Sequence, residues 1–297
     1  MANKFILCLL LMMFGSPMVK ACDACGCSIG NTGNGLTTVF KKNFFSLGYF
    51  GYSFNGALNQ TLATKDGHYS ITASARMSLA QNWYMVASVP FKWNVRAALV
   101  SHYRLQGVGD IQLAVHRVVM NRAIGASSLY LDGGLALKMP VANFNPVLED
   151  GNLPVNFNVG TGTWSPQLRL NAVYNYKQLG LLVSPSFQWS PKNSKSYQFG
   201  TQLAVQAVAF YQLKAGATLS ITPYGGFYTE KIGRDINASG KYEHGTGATG
   251  SYTIFGLNVK WKNFVFDVST LSPLQSTYAG GEVKAGSRWS VQTTYLF

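Results

Sequence analysis

The sequence predicts an all-β fold: a transmembrane, antiparallel, up-and-down β-barrel of about 12 strands (10–14), with short periplasmic turns and long extracellular loops. Three observations predict it. The chain is 47% hydrophobic and only 12% charged, yet its mean hydropathy is +0.07, so apolar residues are interleaved with polar ones and not gathered into blocks. Segment after segment has an apolar residue at every second position, the period of a strand with two unlike faces. These segments run to about ten residues or more, the length a tilted strand needs to cross a bilayer. Composition also excludes a disordered polyelectrolyte, and 31 glycines argue against a helical bundle.

The first element is Phe5 to Phe14, preceded by Lys4 and followed by Gly15, Ser16 and Pro17. It is too short for a membrane helix. A basic start, an apolar centre and the small-residue end Val19-Lys20-Ala21 predict a signal peptide over 1–21. Of the 24 Lys and Arg, Lys4 and Lys20 leave with it; 22 basic and 11 acidic residues remain, so the formal charge falls from +13 to +11.

A Cys/Gly-rich periplasmic segment, 22–35, follows. Its Cys22, Cys25 and Cys27 form a C-x-x-C-x-C run in which Gly26 relieves the backbone. Three readings stay open. Clustered thiolates suit one soft ion, Cu(I) or Zn(II), with a further ligand from elsewhere. An oxidising periplasm favours a disulfide that leaves one odd thiol. Cys22, as first mature residue, would be the acylated position of a lipoprotein, against which stand Lys20 and the polar stretch before it.

The barrel is predicted over 36–297, with strands at 36–54, 68–80, 83–96, 107–119, 127–139, 164–177, 179–190, 196–211, 214–229, 251–261, 263–272 and 287–297. Gln81-Asn82, 121–126, Gln178, Gln212-Leu213 and Lys262-Asn263 read as short turns, and 55–67, 97–106, 140–163, 230–250 and 273–286 as long loops; the link at 191–195 is brief where a long one is due. Closure of such a sheet leaves no backbone donor facing lipid. Tyr49, Tyr52, Trp83, Trp93, Tyr176, Trp189, Tyr211, Trp261 and Trp289 fall near strand ends, as interfacial girdles require. A soluble sandwich would bury the apolar face equally well, but its wet face should carry many charges, whereas here that face is mostly Ser, Thr, Asn, Gln and Gly. The alternation closes on Tyr295 and Phe297, similar to the C-terminal signal read by the barrel assembly machinery of Gram-negative bacteria.

Two motifs carry a family resemblance. Gly107-Val108-Gly109-Asp110-Ile111 opens one predicted strand, and Gly160-Thr161-Gly162-Thr163-Trp164-Ser165-Pro166-Gln167-Leu168 leads into another. Together with the terminal Phe they resemble the outer-membrane proteins named for the meta-pathway of phenol degradation, a transporter family. The resemblance implies passage of small hydrophobic or aromatic molecules across the outer membrane, and no catalysis.

The polar face predicts a lumen lined by Arg76, Lys92, Arg96, Asp110, His116, Asp132, Lys138, Arg169, Asp267 and Arg288. Lys177, Lys214 and Lys260 extend this set or sit among headgroups at strand ends. Counting all nine cations against Asp110, Asp132 and Asp267, the interior attracts anions, which makes a carboxylate-bearing aromatic or fatty molecule the sharper expectation. His116 falls mid-strand, whereas His68, His102 and His244 fall in or beside loops and read as solvated. No strand-to-helix nucleophile elbow is predicted, and no enzyme is expected. The expected partners are outer-membrane lipid, the assembly machinery and a small solute, with no nucleic acid; both termini are expected in the periplasm. The alternative function is metal handling by Cys22, Cys25 and Cys27.

Overall fold

The computed structural model describes residues 42–56, 64–97, 102–145, 148, 153 and 155–297. The signal-peptide region and the cysteine cluster lie outside the described residues.

Fourteen strands form one antiparallel sheet: β1 (Phe44–Gly56), β2 (Thr64–Ala80), β3 (Trp83–Ala97), β4 (His102–Val108), β5 (Ile111–Ile124), β6 (Ser127–Met139), β7 (Ser165–Tyr176), β8 (Leu179–Gln188), β9 (Gln202–Tyr211), β10 (Leu213–Ala215), β11 (Leu219–Ile232), β12 (Ala248–Trp261), β13 (Phe264–Tyr278) and β14 (Val283–Leu296). The neighbour order runs β11-β12-β13-β14-β1-β2-β3-β5-β6-β7-β8-β9, and β9 pairs back to β11, so 12 strands close into a barrel. The short β4 pairs only with β3, and β10 only with β11.

Closure explains why so little of the sequence needs a dry core. Every second side chain points outward, and on that face Phe45, Leu47, Ile71, Leu135, Leu170, Phe255, Phe266, Val268 and Val291 stay exposed. The alternate positions carry Ser74, Arg76, His116, Asp132, Gln167, Gln188, Glu230, Asn258, Asp267 and Arg288, all buried. This is the partition of a soluble protein turned inside out, and it is stable only where the outer face meets hydrocarbon.

The turns Gln81-Asn82, Gly125-Ala126, Lys177-Gln178 and Lys262-Asn263 are tight. They sit at the same end as Asn43 and Phe297, whose main chains are joined by a 3.0 Å hydrogen bond. Gly125 has φ +59, a conformation that suits glycine at the β5–β6 reversal. Connections at the other end are longer, with three differences from the sequence expectation. The expected loop 97–106 contains the start of β4 at His102, so the expected strand 107–119 is split between β4 and β5. The link around 191–195 is part of a 13-residue connection, 189–201, because β8 ends at Gln188 and β9 begins only at Gln202. The expected long loop 273–286 is mostly strand: β13 continues to Tyr278 and the reversal to Val283 is a 3₁₀ turn at Ala279–Gly281. Between Leu271 and Tyr278 the β13–β14 ladder shifts register; that irregularity around Pro273 hides the strand from a strict period-two reading.

Candidate functional site

The inward wall divides into side-chain networks, each built by neighbouring strands. On β2, β3, β5 and β6, the Arg76 guanidinium lies 3.7 Å from the centre of the Tyr84 ring, and Tyr84 stacks on His116 at 4.8 Å. His116 Nδ1 donates to Asp132 Oδ1 at 2.9 Å, and Asn171 Nδ2 donates to the same oxygen at 2.9 Å. Gly134 makes room for this arrangement, since a Cβ there would come within 2.5 Å of His116 Nδ1. Glycine is required by the ring above it.

On the facing wall Arg288 of β14 reaches past β13 and β12 to Glu230 of β11, donating to both carboxylate oxygens. Tyr228 donates to Glu230 Oε2 at 2.8 Å, and Tyr278 donates to Oε1. Arg288 stands 4.3 Å over the Tyr252 ring, and Tyr252 and Tyr278 are fully buried. A buried charge pair is tolerated when hydrogen bonds satisfy its remaining lone pairs and protons, and three tyrosines supply much of that here. A smaller cluster places Asp267 against Tyr224 (2.9 Å) and Asn258 (3.1 Å).

At the open end, Arg96 Nε donates to Asp66 Oδ1 at 2.7 Å. His68, expected as a solvated loop residue, is buried in β2; it stacks on Tyr52 at 4.9 Å and shares a 2.9 Å hydrogen bond with Asn94 Oδ1. Tyr52 therefore belongs to the interior and not to the outer girdle. Asn94 Nδ2 donates to the Phe157 carbonyl at 2.7 Å. A 3₁₀ turn at Val155–Phe157 is thus pinned to the inner wall, with the Phe157 side chain fully buried beside His68. The two family-like motifs meet in the same region: Asp110 Oδ2 accepts from the Thr161 amide at 2.8 Å and from its hydroxyl at 2.7 Å. The glycine-rich strings are one contact that fixes the β6–β7 connection over the wall.

Above the barrel, Asp235 joins two loops. Its carboxylate accepts from Tyr197 Oη and the Gly200 amide, both at 2.7 Å. Burial pushes its pKa up to about 6, against the pull of these two donors and with a smaller push from Glu243. Because the folded value lies above the ordinary 3.8, the protonated form favours the packed loops: the stabilisation is complete below about pH 4 and is lost as pH rises through about 6. Hydrogen exchange at the Gly200 amide, corrected for its intrinsic rate, is expected to speed up over that interval in the wild type and to lose this dependence in Asp235→Asn.

All ten expected lumen residues lie on the inward face, but they do not form one site. Arg76, His116 and Asp132 come together, Arg96 and Arg288 have separate acidic partners, Asp110 is used by the loop, and Asp267 stands with Tyr224. Lys177 and Lys214 are exposed at the turn end. Sequence reasoning missed Asp66 and Glu230, which it left in loops. Among the described residues, seven inward cations (Arg76, Lys92, Arg96, Lys138, Arg169, Lys260, Arg288) oppose five inward carboxylates (Asp66, Asp110, Asp132, Glu230, Asp267), so the excess is far smaller than the sequence suggested. No group of three metal-ligating side chains occurs among the described residues; Cys22, Cys25 and Cys27 lie outside them.

No family model and no curated protein matches this sequence. Solved structures do resemble it. An outer membrane channel from Pseudomonas putida F1 superposes with a TM-score of 0.64 at 12% identity, covering 86% of this chain and 96% of that one. The β domain of the Bordetella autotransporter BrkA gives 0.50 at 10% identity, covering 86% and 100%. The transport unit of the Escherichia coli autotransporter AIDA-I gives 0.50 at 10% identity, covering 87% and 91%. What is shared at these identities is the fold, a closed barrel of the outer-membrane type.

Proposed function

We propose that this chain is an outer-membrane channel that passes a small, hydrophobic or aromatic solute, and that it performs no catalysis. The observation that carries the reading is the inverted partition of side chains: an exposed apolar belt around the barrel and a polar, hydrogen-bonded interior. The Val155–Phe157 turn is drawn against Asn94 and His68 on the inner wall, which narrows the lumen at that level. A conduit of this kind selects by size and by contact with its walls and needs no moving catalytic group. The two touching motifs and the likeness to a Pseudomonas channel support placement near the phenol-pathway transporters. The reading puts the short turns and both termini in the periplasm, where processing at Ala21 would leave the cysteine segment beside the pore mouth. Copper or zinc there remains a sequence-based proposal.

Reconstitution into planar bilayers and swelling of loaded liposomes test the channel. Discrete conductance steps, and faster flux of benzene-ring-sized solutes than of disaccharides, are expected; the absence of any step and any flux would refute it. Asn94→Ala removes the anchor of the Phe157 carbonyl and leaves His68 without its partner. The loss of about 1 kcal/mol or more raises the released population of the 155–157 turn at least about fivefold, and larger, noisier steps are the expected record.

A further inference from the structure

We propose that Arg169 is the anion-recognising residue of the lumen, binding the carboxylate of a small amphiphilic solute whose apolar part lies against the neighbouring wall. The proposal rests on the channel reading above and names its substrate class.

Four arginines point into the barrel, and their surroundings differ. Arg96 and Arg288 are each paired with a carboxylate, and Arg76 lies flat on Tyr84. Among the described residues Arg169 has no carboxylate within ion-pair distance; one Nη donates to Gln167 Oε1 at 2.8 Å. That same oxygen accepts from Gln112 Nε2 at 2.7 Å, while Gln167 Nε2 donates to Gln188 Oε1 at 2.7 Å. The guanidinium is therefore aimed by a chain of amides that cannot neutralise it. It has five N–H donors, and a single one of its nitrogens is engaged. A cation held in a low-dielectric wall without a counter-charge is costly unless a ligand supplies one. A carboxylate, planar and bidentate, matches the donors that remain.

The register shows where such a ligand would lie. Arg169 pairs with Gly134 on β6 and Ser186 on β8, and Ser186 pairs with Ala204 on β9. The His116 ring fills the space over Gly134, so a ligand of Arg169 would approach from the other side of the row, over the short side chains of Ser186 and Ala204. Ala204 also begins a continuous buried apolar patch that includes Leu182, Val208 and Tyr228. Cation and buried apolar cluster are adjacent, so the apolar part of an aromatic or short fatty carboxylate would seat at the edge of that cluster, beside Ala204. Of the nearby carboxylates, Asp132 accepts through Oδ1 from His116 and Asn171, and Glu230, at the end of the same row, holds Arg288.

Single-channel recording with benzoate as the probe tests the assignment. Wild type is expected to show anion preference in a salt gradient and concentration-dependent block by benzoate, with little block by neutral benzyl alcohol. Arg169→Gln should weaken benzoate block roughly 10- to 100-fold, the worth of a charge-assisted pair of hydrogen bonds, and Arg169→Lys should retain part of it. Arg117→Gln, at an exposed outward position, should change neither. Heat-modifiable migration identifies folded variants, and if Arg169→Gln does not fold, the lysine variant must still show weakened block with a charge in place. A conducting wild type whose benzoate block is unchanged in both variants overturns the Arg169 assignment and leaves the channel standing. A wild type with no conductance overturns both.

Discussion

Glu230→Gln is expected to cost about 3–5 kcal/mol of barrel stability, the usual penalty for leaving a buried charge without its partner. The carboxylate receives Arg288, Tyr228 and Tyr278 together, so its neutralisation strands a guanidinium inside a ring of tyrosines. Because Arg288 reaches from β14 to β11, the contact fastens four consecutive strands across a chord of the lumen and is no local ornament of one hairpin. The measurement is the urea midpoint for loss of the compact, heat-modifiable form in detergent. The double variant Glu230→Gln/Arg288→Met should recover much of the loss, since removing both charges also removes the desolvation they impose. If the double variant is as unstable as the single one, the tyrosine cage and not the charge pair holds these strands together.

The barrel was legible in the sequence because its two faces obey one rule over the whole chain: with lipid outside and polar side chains inside, period two is enforced strand by strand. Where the rule relaxes, so did the reading. Around Pro273 the ladder slips and alternation fails, which concealed the upper half of β13 and the close reversal into β14. Past Thr229 the sequence Glu230-Lys231-Ile232 looks like a polar loop, but Glu230 and Ile232 point inward and Lys231 outward, still in step. A carboxylate in a strand is disfavoured only if it is unpaired, and its partner lies 58 residues away, beyond the reach of any local pattern. The same holds for His68, whose companions Tyr52, Asn94 and Phe157 come from three separate segments. Inward facing was thus readable residue by residue. Partnership was not, and the expected strong anion field shrinks once Asp66 and Glu230 join the inner face.

Val268→Arg is the sharpest test of what surrounds the barrel. Val268 is 53% exposed, while its strand neighbours Asp267 and Ser269 are buried on the opposite face. Its cross-strand row runs through Leu257 on one side and Val291, Tyr49, Ile71 and Phe91 on the other, an unbroken apolar band over six strands. In water such a band is a standing liability to aggregation. In hydrocarbon it costs nothing, and a cation placed at its centre should lose about 2–4 kcal/mol, falling to about 0–1 near the interface. Reversible unfolding in phospholipid vesicles is expected to show the larger loss for Val268→Arg and the smaller for Phe264→Arg, four residues closer to the turn end of the same strand. A barrel whose outer face met water would answer in the opposite sense: both substitutions would be nearly neutral, and the protein would gain solubility without detergent. The depth dependence separates the cases, because an aqueous surface has no centre and no rim, whereas a bilayer penalises the same charge by where along the strand it sits.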